Sequence, residues 1–120
     1  MSGANISIQT NQINERCASV VLAGRLDAGN AQMVKETLKQ LVEAGSTYLI
    51  VDLSKVPFVD SAGLAALVSA LKATRRVDGT VLLAGVQPQA RTVFSLTMLD
   101  QIFALHPSLE AARDSLAACS

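Results

Sequence analysis

The stretch Val51–Leu67 reads V-D-L-S-K-V-P-F-V-D-S-A-G-L-A-A-L. It continues the apolar run Tyr48-Leu49-Ile50-Val51, which predicts a buried strand. Lys55, Pro57 and Gly63 punctuate the passage out of that strand. From Leu64 the apolar residues fall at Leu64, Leu67, Val68 and Leu71, the spacing of one helical face. Ser61 therefore stands at, or one residue before, the first turn of a helix. Two roles fit a serine there. Its hydroxyl can cap the helix by accepting an N–H of the first turn. It can also be presented for phosphorylation, since a phosphate at a helix N-terminus meets free N–H donors and the positive end of the dipole. Beside Asp60, such a phosphate adds roughly −1.5 to −2 charge units and repels an acidic or apolar partner surface.

Upstream, Ile6, Ile8 and Thr10 alternate with Ser7, Gln9 and Asn11, a strand with one wet face. Asn14-Glu15 marks a turn, and Ala18, Val20 and Leu22 form a second strand; so short a link predicts an antiparallel hairpin. Gly24-Arg25-Leu26-Asp27 and Ala28-Gly29-Asn30 lead to a helix with Ala31, Val34, Leu38, Leu41 and Val42 inward, stopped at Gly45. Tyr48–Leu53 is the third strand and Ser61–Val77 the central helix. Downstream, Val81–Val86 predicts a fourth strand and Pro88 the start of a third helix with Ala90, Val93, Phe94 and Met98 inward. Ile102–Leu105 predicts a fifth strand, and Pro107-Ser108 opens a last helix carrying Leu109, Ala112 and Leu116.

The expected class is α/β, a single domain over 1–120 in the order ββαβαβαβα. It should hold a mixed, mostly parallel five-stranded sheet packed with four helices. Strands joined through helices must run parallel, and only the first should run against its neighbour.

The run Asp52-Leu53-Ser54, then Val56, Phe58, Asp60-Ser61 and Gly63-Leu64, resembles the signature of STAS domains in bacterial anti-sigma factor antagonists. Gly24-Arg25-Leu26-Asp27 is similar to that family's G-x-L-D loop. The resemblance implies that Ser61 is the serine phosphorylated by a partner kinase that is itself the anti-sigma factor. A second serine common in the family is replaced here by Ala62. The resemblance also implies a partner-binding face around Asp27, Asp60, Ser61, Gly63 and Leu64, and a PP2C-like serine phosphatase that resets the switch. Without it, Asp27 reads as a turn or cap residue and Leu64 fits the core equally well.

At 120 residues the chain can bury roughly two-thirds of its unfolded surface. Half of its residues are hydrophobic but only Tyr48, Phe58, Phe94 and Phe103 are aromatic, so aliphatic residues must build the core. Ten basic residues balance ten acidic ones and cluster only at Arg75-Arg76, which argues against nucleic acid. No apolar run approaches the roughly 18 residues that span a bilayer, and the N-terminus lacks a signal-peptide pattern. A cytoplasmic protein with no membrane partner, monomeric or weakly homodimeric, is the expectation. Cys17 falls in a strand pattern and reads as core. Cys119, beside the terminus, reads as exposed, and a disulfide between them is not expected in a reducing compartment.

Enzymatic signals are thin. The one histidine, His106, lies beside Pro107 without a positioned partner, and Val59-Asp60-Ser61-Ala62-Gly63 lacks the first glycine of a nucleophile elbow. No phosphate-binding glycine motif and no metal-ligand cluster occurs, so neither an enzyme nor a cofactor is expected. A phosphoacceptor receiver domain would need paired acids after the first strand and a lysine after the fifth. The chain has Thr10-Asn11-Gln12 and Leu105-His106-Pro107 there. The family resemblance leaves two other roles open: a stand-alone subunit of a lipid-transport complex, and a scaffold in a stress-sensing assembly.

Overall fold

The computed structural model describes residues 5–119. Strand β1 (Ile6–Gln12) pairs antiparallel with β2 (Cys17–Gly24), placing Ile8 opposite Leu22. The hairpin turn is built on Asn14, whose side-chain oxygen accepts the N–H groups of Arg16 at 2.9 Å and Cys17 at 3.0 Å. Helix α1 (Ala31–Glu43), β3 (Tyr48–Lys55), α2 (Ser61–Arg75), β4 (Thr80–Ala84), α3 (Pro88–Leu96), β5 (Ala104–His106) and α4 (Leu109–Asp114) follow. The five strands lie in sequential order, with β2 to β5 all parallel. This is the expected mixed sheet with its one antiparallel edge.

The alternation of side chains across each strand divides the apolar residues between two faces. Val20 and Leu22 of β2, Leu49, Val51 and Leu53 of β3, and Val81 and Leu83 of β4 meet α1, α2 and α3 in one large core. The other face carries Cys17, Ile50, Leu82 and Ala84, covered by Ala112 of α4 and by Cys119. Burial on both faces explains why β3 and β4 read as continuous apolar runs rather than as alternating ones.

Three details differ from the sequence-based expectation. Met98 does not continue the buried face of α3. It takes a left-handed backbone (φ 61°) and is 60% exposed, because the chain leaves the helix at Thr97 and tightens into a 3-10 turn, Leu99–Gln101. That turn delays the fifth strand to Ala104–His106, leaving Ile102 on the surface while Phe103 packs edge-on against Phe94 at 5.8 Å. The cysteines are the third. Cys119 is fully buried and disulfide-bonded to Cys17, across 102 residues of sequence. A 3-10 turn, Ala117–Cys119, brings it there; Arg113 Nε donates to the Cys119 carbonyl at 2.9 Å, and the Asn14 amide donates to that of Ala118. Terminal position suggested exposure, but the tail folds back over the start of β2.

Candidate functional site

The loops that leave β2 and β3 at their carboxyl ends converge, as expected for neighbouring parallel strands. They are joined as a short extension of the sheet, a parallel bridge between Leu26 and Val59. Leu26 N–H donates to the Phe58 carbonyl at 2.9 Å, and Asp60 N–H to the Leu26 carbonyl at 3.1 Å. The Arg25 guanidinium lies 4.1 Å from the centre of the Phe58 ring, a cation–π contact that covers the join.

Asp60 is the N-cap of α2. Its backbone is extended, and its Oδ1 accepts the Gly63 N–H at 2.9 Å. Its Oδ2 reaches across to the Ala28 N–H at 3.1 Å. One carboxylate thus satisfies the helix terminus and fastens the loop after β2 to it. Gly63 permits the approach: a Cβ there would stand 2.7 Å from Leu26 Cγ and 2.8 Å from the Leu26 carbonyl oxygen.

With the cap supplied by Asp60, Ser61 becomes the first residue of the helix. Its side chain is exposed, and among the described residues its hydroxyl forms no hydrogen bond. The capping role open to it in the sequence belongs to its neighbour. The N–H groups of Ser61 and Ala62 are among those a helix leaves without an internal partner, so the serine faces a donor-rich terminus.

Asp27 shapes the adjoining turn. Its Oδ1 accepts Gly29 N–H at 3.0 Å, and its carbonyl accepts Asn30 N–H at 3.0 Å and Ala31 N–H at 2.8 Å. Arg25 Nε lies 3.8 Å from its Oδ2, a long contact between an exposed guanidinium and a half-buried carboxylate. Asp27, Asp60 and Ser61 are therefore gathered on one rim with part of their surface in solvent. Gly63 and Leu64 lie beneath it: Gly63 is buried under the loop, and Leu64 is 6% exposed and packed in the main core. They set the seat of α2 rather than offering side-chain surface.

Two residues that sequence reading did not single out brace this rim. Asn30 is 2% exposed; its oxygen accepts the Asp27 N–H at 3.1 Å and its amide donates to the Arg25 carbonyl at 2.7 Å. Gln89, in the first turn of α3, holds both backbone groups of Val59, accepting its N–H at 2.9 Å and donating to its carbonyl at 3.1 Å. Asn30 was legible as a turn residue; nothing local to Gln89 signals a clamp 30 residues away.

A shallow groove of about 290 Å³ runs from the rim between α1 and α2, floored by Ala28, Ala31, Ala62, Ala65 and Ala66. Among the described residues no group of three His, Cys, Asp or Glu side chains is placed to hold a metal ion. No described helix is long and apolar enough to cross a membrane. The arrangement offers exposed, rigidly held polar groups and a helix terminus, which is the equipment of a recognition surface.

Comparison with known proteins agrees with that character. The STAS domain family profile matches residues 9–112. The chain is 32% identical over 98 residues to the anti-sigma-B factor antagonist of Listeria monocytogenes, covering 82% of this chain and 86% of that protein. It is 31% identical over 98 residues to the Bacillus subtilis anti-sigma-B factor antagonist, covering 82% and 88%. The fold superimposes on unphosphorylated SpoIIAA, an anti-sigma factor antagonist, with a TM-score of 0.81 at 20% identity, covering 91% of this chain and 95% of that one. For SpoIIAA in its phosphorylated form the TM-score is 0.74 at 20% identity, covering 91% and 98%. Residue pattern, fold and rim geometry together place the chain in the STAS domain family, among the anti-sigma factor antagonists.

Proposed function

We propose that this chain is a phosphorylation-controlled partner-switching protein. With Ser61 unmodified, it binds an anti-sigma factor serine/threonine kinase through the rim of Asp27, Asp60 and Ser61, and so frees a sigma factor. Phosphorylation of Ser61 by that kinase ends the complex, and a PP2C-like phosphatase resets it. The protein acts by binding rather than by catalysis, in the cytoplasm where ATP and sigma factors meet.

The observation that carries this reading is the exposed Ser61 hydroxyl at the first position of α2, released from capping by Asp60. A kinase can reach that hydroxyl without undoing the helix. The product would be a dianion set against the Asp60 carboxylate at the centre of the docking surface. Burying that charge in an interface without a paired cation costs several kcal/mol, enough to reverse a binding equilibrium. Gly63 and Leu64 contribute by fixing the angle at which Ser61 is presented. The test is incubation with the cognate kinase and ATP, followed by mapping of the phosphate by mass spectrometry. Modification of Ser61 alone is expected; modification elsewhere, or none, overturns the assignment.

A further inference from the structure

The groove between α1 and α2 does not end at the alanine floor. Beyond it, the same two helices enclose a second hollow of about 230 Å³ lined by Lys35, Lys39, Lys72 and Arg76, with Ser69, Ala70 and Ala73 between them. Lys35 borders both hollows, so they lie next to each other between α1 and α2, the second farther along the helices from Ser61. No carboxylate lines either part. Among the described residues the only ion pair is Arg25–Asp27, so none of these four cations is in an ion pair with a described neighbour. All four are exposed. The chain as a whole carries no net charge, so this is segregation of charge into one groove rather than a general basic character.

We propose that this groove receives an acidic helical segment of the partner that docks on the Ser61 rim; the proposal rests on the partner-switching reading above. Ala62, Ala65, Ser69 and Ala73 are the small residues that reach the surface along this face of α2, with Ala66 and Ala70 buried beneath them, and they let a partner helix approach closely. Carboxylates on that helix would meet the four lysine and arginine heads at the far end. Such exposed pairs act mainly on the encounter rate and on discrimination between partners. An unmodified rim supplies the switch, and the basic groove supplies the register. A phosphate on Ser61 opposes docking at one end of the groove while the other end is unaltered.

The experiment measures association of the kinase that modifies Ser61 with three proteins: wild type, the double variant Lys39→Glu/Lys72→Glu, and Arg91→Glu, an exposed cation on α3 outside the groove. At low salt the double variant should associate about tenfold more slowly, with the difference shrinking as salt rises toward about 0.5 M, while Arg91→Glu behaves as wild type. Thermal melts confirm that both variants fold. Equal rates for all three, with Ser61 still phosphorylated, overturn the groove assignment and leave the switch standing. A kinase that neither binds nor modifies the wild type overturns both. An oligonucleotide that binds the wild type and not the double variant, with kinase association unaffected, assigns the groove to nucleic acid and also overturns the proposal.

Discussion

The Asp60 carboxylate accepts the Ala28 N–H at 3.1 Å, tying the first turn of α2 to the loop that follows β2. Its other oxygen caps α2 at Gly63, so one side chain holds together the two segments that carry Asp27 and Ser61. Replacing it with alanine removes both bonds at once. Asp60→Ala should therefore lose about 1–2 kcal/mol of stability, at the upper end of cap losses. Urea unfolding measures this; a midpoint unchanged from wild type would mean that the clasp is energetically idle.

Gly63 has the opposite problem, a lack of room. An added methyl meets the Leu26 side chain at 2.7 Å and its carbonyl oxygen at 2.8 Å. In a free helix Gly→Ala is favourable by up to about 1 kcal/mol, but the clash should outweigh it by about 1–3 kcal/mol. Gly63→Ala is expected to lower the melting temperature and to open the Leu26–Val59 bridge, seen as faster hydrogen exchange at Leu26. A stabilised variant would contradict the packing.

Much of this architecture was legible in the sequence, and the exceptions have physical causes. Strands covered on both faces read as unbroken apolar runs, and Val34 and Leu38 fixed the buried face of α1. Met98 misled because apolar spacing continues past the point where the backbone turns left-handed. The cap was ambiguous because aspartate and serine both accept a first-turn N–H, and Asp60 and Ser61 are adjacent. Which of them does so depends on Ala28, distant in sequence but a neighbour in the fold. The place of Ser61 at the start of α2 follows from apolar spacing and its place on the rim from parallel-strand topology, with only its phosphorylation implied by motif resemblance, whereas the Gln89 clamp and the path of the C-terminal tail arise only from tertiary closure.

That tail makes a redox prediction. The Cys17–Cys119 bond closes a loop across almost the whole chain, 102 residues apart. Chain-entropy arguments assign about 2–5 kcal/mol to such a closure. Oxidised protein should melt higher than the same protein in reductant, and Cys119→Ala should melt alike in both conditions. Equal melting of oxidised and reduced wild type would remove the stabilising role. In a reducing compartment the dithiol form should prevail, and because the bond lies on the sheet face opposite α1 and α2, partner binding should be insensitive to it.

Gln89 offers a test of how firmly the rim is held. Both of its bonds go to the backbone of Val59, next to the cap. Gln89→Leu keeps the volume and leaves the Val59 N–H and carbonyl without those partners, costing about 1–3 kcal/mol. Exchange at the Val59 amide should accelerate more than at amides of β1; uniform acceleration would show global destabilisation instead.

The central claim is that charge on Ser61, not loss of its hydroxyl, controls docking. With Asp60 as the cap, Ser61→Ala should fold with wild-type stability and bind constitutively. The most direct measurement is the dissociation constant of the cognate anti-sigma kinase for unmodified protein, for protein phosphorylated at Ser61 and for Ser61→Ala, by titration calorimetry. Equal affinity is expected for the unmodified protein and the alanine variant, and at least about hundredfold weaker binding after phosphorylation. Undiminished affinity of the phosphorylated protein would contradict the central claim.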